Sequence, residues 1–310
     1  MLLSCGDALI DFLPVKSTDG SDAFLPVVGG SCLNVAIGMA RLGAPAAFVG
    51  GISTDLFGGM IADHALASQV SLQYATRIAR PTKLAFVQTG EAEPQYTFYD
   101  EETASRHWTY RPGSIPFAQI DAIHVGSTTL IDDKLAAETM RMVENARSST
   151  LSFDPNCRPS LVTDKAAYVS RMNQFVERAD IVRMSDSDFA FLYNGSDYAK
   201  VAERLLAGSP RLFIVTCGGR GVRAWHQLAG AVQVDAPRVK IVDTIGAGDS
   251  FQAALLFILR EMNRISAELL AKLDAGQLER ALTFAAACAA LTCKRRGADP
   301  PRLCEVEIPQ

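Results

Sequence analysis

The chain reads as an α/β protein, a mainly parallel sheet sandwiched by helices with a small β-strand lid. Three observations predict this. Short apolar runs alternate with segments of helical periodicity along most of the 310 residues, the pattern of a parallel sheet between helices. Two stretches, 12–28 and 82–110, break that rhythm. Hydrophobic residues make up 48% of the chain and charged ones 21%, which excludes disorder and supplies a core that needs no disulfide or metal staple.

The elements follow in order. Residues 2–10 read as the first strand. Residues 33–42 carry apolar side chains at helical spacing and stop at Gly43-Ala44-Pro45, a helix terminator. A strand follows at 46–50 and a helix at 56–66. Further strands are expected at 122–125, 151–153, 181–183, 212–216 and 222–225. Helices are expected at 134–146, 166–179, 198–206, 247–262 and 277–293. The stretch 12–28 leaves the first strand into a segment bearing Pro and Asp, and 82–110 holds β-rich pieces at 84–89 and 95–99 around a turn at 90–94. An antiparallel flap explains both, and flaps commonly close over substrates. A plain surface hairpin is the alternative. The expectation is one domain over 1–310 with lid segments at about 12–28 and 82–110 inserted.

Composition removes several function classes. Thirty basic residues against 34 acidic ones leave a net charge of −4, and no basic run exceeds Lys294-Arg295-Arg296, so no nucleic-acid partner is expected. The longest near-apolar stretch, 281–293, is too short to span a bilayer. The opening Met1-Leu2-Leu3-Ser4-Cys5-Gly6-Asp7 lacks the positive region of a signal peptide. Seven scattered Cys without a C-x-x-C read as reduced core residues, and four distant His leave little for zinc. A soluble cytoplasmic protein with no membrane partner is the expectation. P-loop, dinucleotide and G-x-S-x-G fingerprints are absent.

The strongest local signal is Asp243-Thr244-Ile245-Gly246-Ala247-Gly248-Asp249-Ser250-Phe251, which leads into an apolar helix. Glycines ahead of a helix let backbone N–H groups converge on an anion, and the helix dipole adds positive potential. Asp249 then stands in the first turn beside that charge, where it must take up a proton or hold a metal. The plainer alternative is that Asp249 complements the dipole and the glycines turn the chain. Spacing alone leaves both open.

The whole nine-residue string resembles the second signature of the ribokinase-like (PfkB) carbohydrate kinase family. The first signature matches at Gly29-Gly30-Ser31-Cys32-Leu33-Asn34-Val35-Ala36, followed by Leu42-Gly43. Gly6-Asp7-Ala8-Leu9-Ile10-Asp11 matches the opening G-E-x-x-x-D, with Asp7 in place of Glu. Gly50-Gly51-Ile52-Ser53-Thr54-Asp55, Asp154-Pro155-Asn156-Cys157-Arg158 and Thr216-Cys217-Gly218-Gly219-Arg220-Gly221 follow in the family's order, and Gly297-Ala298 ends the series.

The resemblance implies an ATP-dependent sugar kinase. Asp249 would be the base, with the N–H groups of Gly246, Ala247 and Gly248 as the anion hole. Asp11, Gly29, Gly30, Asn34 and Arg158 would bind the sugar. Their chemistry suits it: Asp11 is a bidentate acceptor for hydroxyls, the glycines admit close approach, Asn34 donates and accepts, and Arg158 presents a rigid fork. A loop acid and a surface salt bridge are the alternatives for Asp11 and Arg158. Thr216, Gly218, Gly221 and Ser185 would meet ATP, although the Gly-rich turn alone also suits a hairpin. The family's N-x-x-E or S-x-x-E stands here as Ser185-Asp186-Ser187-Asp188. The shorter Asp188 is expected to act on Mg²⁺ through water; a helix cap at Asp188, or Asp186 as the functional acid, are the alternatives. K⁺ beside the anion hole, near Asp243 and the backbone around Ile245, is part of the same implication.

Within the family, the opening G-D-A-L-I-D, Arg80-Pro81-Thr82-Lys83-Leu84-Ala85-Phe86-Val87 and the tail Thr292-Cys293-Lys294-Arg295-Arg296-Gly297-Ala298 look most like bacterial fructokinases. Phosphorylation of D-fructose to fructose 6-phosphate follows from that resemblance. A 2-keto-3-deoxygluconate kinase would use Arg106, Tyr96, Tyr99 or Tyr110 against a carboxylate. A purine-nucleoside kinase would stack Phe98 or Trp108 on a base. A catalytically inactive sugar-binding regulator is the reading from another class, and the intact Asp249 argues against it. A homodimer through the lid is the expected assembly where one forms.

Overall fold

The computed structural model describes residues 1–88 and 95–308. The chain runs through β1 (Leu2–Cys5), β2 (Leu9–Lys16), β3 (Asp22–Gly29), α1 (Ser31–Arg41), β4 (Ala46–Val49), β5 (Gly51–Ser53), α2 (Leu56–Ala67), β6 (Thr76–Ile78), β7 (Lys83–Gln88) and β8 (Gln95–Tyr99). It continues with β9 (Ala122–Gly126), α3 (Asp133–Asn145), β10 (Thr150–Asp154), α4 (Lys165–Val176), β11 (Ile181–Ser185), α5 (Asp186–Tyr193), α6 (Tyr198–Leu206) and β12 (Leu212–Thr216). The last elements are β13 (Val222–His226), β14 (Gly230–Val234), α7 (Ala247–Glu261), α8 (Ala267–Leu270) and α9 (Ala275–Thr292).

The main sheet has the order β14-β13-β12-β11-β10-β9-β1-β4. Its strands are parallel from β12 to β4, and the β13 and β14 edge is antiparallel. β1 is buried at all four positions, as a strand covered on both faces must be. One core fills the space between this sheet and α1, α2, α7, α8 and α9. The other lies under α3 to α6. The chain leaves β1 toward β4 on one side and returns as β9 on the other, and ligands of open α/β sheets bind at the carboxyl ends of strands beside such a switch.

The expected first strand, 2–10, is two strands in two sheets. Cys5 closes β1, and Gly6-Asp7-Ala8 carries the chain out to β2. The apolar run is nearly continuous, so periodicity alone could not show the break. The second sheet has the order β3-β2-β7-β8 and joins both stretches that break the α/β rhythm. It is mixed, not wholly antiparallel as expected: β2 and β7 run parallel from Leu9↔Lys83 to Phe12↔Phe86. The expected turn at 90–94 and residue 89 lie outside the described residues.

The helix expected to begin near Phe189 under the cap reading of Asp188 is α5, and it starts three residues earlier, at Asp186, where Ser185 and Asp188 cap each other reciprocally. Among the described residues no helix is long and apolar enough to cross a membrane.

Candidate active site

Asp154, Ser185 and Thr216 are the last residues of β10, β11 and β12, so they share the carboxyl edge of the sheet. α7 starts above that edge. Phe251 to Leu259 are all buried, and a helix apolar on every side has no freedom to shift in a packed core. Gly246 precedes it with φ near 75°, a backbone that a side chain resists, and a Cβ there would come within 2.5 Å of Ala298. Asp243 braces the turn, its carboxylate accepting from the Ile245 N–H at 3.0 Å and the Gly297 N–H at 2.8 Å. The tail motif and the Gly-rich loop are thus one structure.

Asp249 lies in the first turn of α7 and is 9% exposed. Ser31 Oγ donates to its Oδ1 at 2.6 Å and Asn34 Nδ2 to its Oδ2 at 2.9 Å, so the two signatures, more than 200 residues apart, meet at one carboxylate. Burial pushes the Asp249 carboxyl above the usual carboxylate range, against the lowering effect of those two hydrogen bonds. Of the expected anion-hole groups, the Ala247 N–H turns to the Thr244 carbonyl at 3.3 Å. Helix geometry leaves the remaining first-turn N–H groups without a carbonyl four residues back.

Asp11 sits on β2, and the second sheet brings it toward Asp249. A Cβ on Gly29 would overlap Asp11 Oδ2, so the carboxylate rests on bare backbone. Burial, then the charge of Asp7, raises Asp11 to about 7, while Arg158 and Lys83 oppose the rise. Arg158 donates through Nη1 to the Asn156 side chain at 2.6 Å and the Cys157 carbonyl at 2.9 Å. Its guanidinium stands 5.7 Å from the centre of the Tyr96 ring, so β8 reaches across to the loop after β10. Burial raises the Tyr96 hydroxyl to about 12.

Asp188 accepts from the Ser185 N–H at 3.1 Å and Oγ at 2.7 Å, and from the Cys157 N–H at 2.8 Å. The helix-cap alternative is therefore real geometry, and it ties α5 to the loop bearing Arg158. Burial, and after it the charge of Asp154, raises the Asp188 carboxyl. Ser185 and Thr216 are register partners, and the backbone turns at Gly218 and Gly221 just beyond. Space next to Gly218 and Gly219 is open. Among the described residues no three His, Cys, Asp or Glu side chains cluster to hold a metal.

Arg183 and Ser31 carry no role in the sequence motifs as read. Arg183 is buried, with Nη1 donating to Asp154 at 2.5 Å and Nη2 to Thr216 at 2.6 Å. A Cβ on Gly248 would meet its guanidinium at 2.9 Å, so the cation lies directly under the first turn of α7. Its signal was a charge inside the apolar string Ile181-Val182-Arg183-Met184.

The side chains kept for other substrates are mostly placed elsewhere. Tyr110 and Trp108 are buried in the second core, Tyr99 is 61% exposed, and Arg106 pairs with Asp100 and Asp132. Phe98 lies against the Lys83 ammonium.

Comparison with known proteins points the same way. The family described as pfkB family carbohydrate kinase matches residues 1–303. The chain is 34% identical over 275 residues to a fructokinase of Rhizobium leguminosarum bv. trifolii, spanning 88% of this chain and 84% of that protein. It is 33% identical over 323 residues to fructokinase-1 of Oryza sativa subsp. japonica, spanning 99% and 96%. The crystal structure of a fructokinase from Xylella fastidiosa with bound ATP superposes with a TM-score of 0.87 at 29% identity, covering 96% of this chain and 93% of that one. A match from end to end, at a third identity and with the fold shared, leaves one assignment: this chain belongs to the pfkB family of carbohydrate kinases.

Proposed function

We propose that the protein transfers the γ-phosphoryl group of ATP to the 6-hydroxyl of D-fructose, giving fructose 6-phosphate and ADP. The observation that carries this reading is Asp249, buried at the start of α7 and aimed by Ser31 and Asn34. Its raised pKa makes it a stronger base than a solvated carboxylate. As the O6–P bond forms and the bond from Pγ to the β-phosphate oxygen breaks, the O6 proton passes to Asp249. The N–H groups of Gly246 and Gly248, with that of Ala247 once it leaves the Thr244 carbonyl, offset the charge on the transferred oxygens. Asp11, Gly29, Gly30, Asn34 and Arg158 bind the sugar hydroxyls, Asn34 while also donating to Asp249. Thr216, Gly218, Gly221 and Ser185 form the ATP side.

Mg²⁺ on the nucleotide would neutralise phosphate charge, with Asp188 the residue to hold it through water, and K⁺, held near Asp243 and the backbone around Ile245, would add positive potential. In this reading residues 1–310 are one kinase domain, and the second sheet is its lid. Exposed aromatics on the outer side of that sheet, Phe24 at 51% and Tyr99 at 61%, support a homodimer through the lid. Seven cysteines free of disulfides suit a reducing cytoplasm.

The test is ATP turnover with Mg²⁺ and K⁺ across ketoses, sugar acids and nucleosides, with the phosphorylated position read by NMR. Fructose is expected to have the highest kcat/KM. A sugar acid or nucleoside surpassing it tenfold would replace the substrate, and no turnover on any of them would favour the inactive regulator.

A further inference from the structure

Four stretches of chain enter or leave the second sheet: residues 6–8 into β2, Gly30 out of β3, 79–82 into β7, and the segment from Asp100 onward out of β8. All four run beside one string of charges, buried at Asp7 and Lys83 and partly exposed at Asp100, Arg106 and Asp132. At the first, Asp7 Oδ2 accepts from Ser127 Oγ at 3.1 Å and Thr128 Oγ1 at 2.7 Å. Its Oδ1 accepts from the Cys32 N–H at 3.4 Å, just past the second. At the third, Lys83 Nζ donates to Thr128 Oγ1 at 2.6 Å and pairs with Asp100 Oδ2 at 3.2 Å. Asp100 itself opens the fourth. From there the chain of pairs runs to Arg106 at 3.2 Å and on to Asp132 at 2.9 Å, the N-cap of α3.

Lys83 is the centre of this string. It is 2% exposed, as is Asp7, and its ammonium lies 5.4 Å from the centre of the Phe98 ring. Stability alone does not call for a lysine here. A buried ion pair roughly breaks even against a well-packed apolar side chain, and its best-attested use is to specify one arrangement among several. The arrangement at stake is the tilt of the second sheet. Leu9 is the register partner of Lys83, and Asp11, two residues further along β2, pairs with Ala85. Any shift of β7 at its root therefore moves the strand that carries Asp11.

We propose that Lys83 is a positioning residue for the sugar: by bridging Thr128, just past β9, and through it Asp7 in the link from β1, to Asp100 at the end of β8, it fixes the strand that carries Asp11 relative to α7. The substrate side of this inference rests on the fructose reading above, and its geometry does not. Asp7, where the family motif has Glu, is part of the same device, its shorter stem leaving room for Thr128 to relay the contact.

The experiment compares wild type with Lys83→Met, Lys83→Arg and the double variant Lys83→Met/Asp100→Asn. The double variant removes cation and anion together and keeps the test alive where the single one fails to fold. Expected for Lys83→Met or the double variant is a KM for fructose raised at least tenfold with KM for Mg-ATP within twofold. In the unliganded protein, amides of β2, β3, β7 and β8 should exchange with deuterium at least tenfold faster while β9 to β12 keep wild-type rates. Lys83→Arg should recover part of the fructose affinity. An unchanged KM for fructose overturns the proposal, and so does a joint rise of both KM values with faster exchange throughout the main sheet. If wild type does not phosphorylate fructose, the substrate reading fails, and the exchange comparison alone decides the role of Lys83.

Discussion

Replacing Asp249 by Asn removes the proposed base while changing shape very little. The environment accepts the change. In the wild type Asn34 Nδ2 donates to Asp249 Oδ2 at 2.9 Å and Ser31 Oγ to Oδ1 at 2.6 Å. In Asp249→Asn one of these two bonds reverses its direction. The new amide oxygen keeps the bond from Asn34, and the new amide nitrogen donates to Ser31 Oγ, a hydroxyl that also accepts. Packing is therefore kept, and a buried charge is lost. Removing one acid–base group costs at least about 10² in kcat, or roughly 2.7 kcal/mol of barrier. Affinity for ADP should remain within about threefold, because the amide takes no hydrogen bond from the nucleotide pocket. The stability of the variant adds a check on sign. A carboxyl whose folded pKa is raised contributes stability at low pH that is lost as pH rises through that folded value. The Asp249→Asn protein should therefore gain in Tm relative to wild type as pH rises from the acid range to neutrality. The assays are coupled ADP release, calorimetric ADP binding and thermal melts across pH. Turnover near the wild-type rate would refute the reasoning and reduce Asp249 to a residue that complements the helix dipole.

Three more outcomes are expected. Asp11→Ala should raise KM for the sugar about ten- to a hundredfold, the cost of one charged hydrogen-bond partner at about 1.5–3 kcal/mol, with KM for ATP unchanged; since burial and the charge of Asp7 push Asp11 up to about 7 and the ionised carboxylate is the stronger acceptor, wild-type KM for fructose should rise as pH falls below that value, a limb that Asp11→Asn should lack. Asp188→Ala should raise the Mg²⁺ requirement and also lower stability by about 0.5–2 kcal/mol, because it opens the α5 cap, whereas Asp188→Glu should alter KM for Mg-ATP less than about threefold; a Mg²⁺ titration beside Asp186→Ala, whose carboxylate pairs with exposed Arg220, moves the role to Asp186 if only that variant responds. Fructose without ATP should protect amides of β7 and β8 from hydrogen exchange, and protection confined to the main sheet would remove the lid from the reaction.

The α/β class and most elements of the main sheet were legible in the linear chain. They depend on information a short window carries: apolar spacing and a helix terminator at Gly43. Asp249 stood out as an acid inside a glycine-rich loop ahead of an apolar helix, and its expected role came from the resemblance of the whole string to a family signature. What only the tertiary structure decided are the partnerships between distant residues and the orientation of whole elements. The break at Gly6-Asp7-Ala8 was invisible because Leu2 to Ile10 is a nearly continuous apolar run, and which sheet a strand joins depends on hydrogen-bond partners far along the chain. That Asn34 donates to Asp249 was invisible until α1 packed against α7. Arg183 drew no reading until β11 placed it between Asp154 and Thr216 beneath Gly248. Lys83, Thr128 and Asp7 carried no joint signal at all, since their meeting exists only where two sheets converge. Residue type and spacing specify which chemistry a chain can hold. The packed core, by fixing distances among groups tens to hundreds of residues apart, selects which of those groups act together.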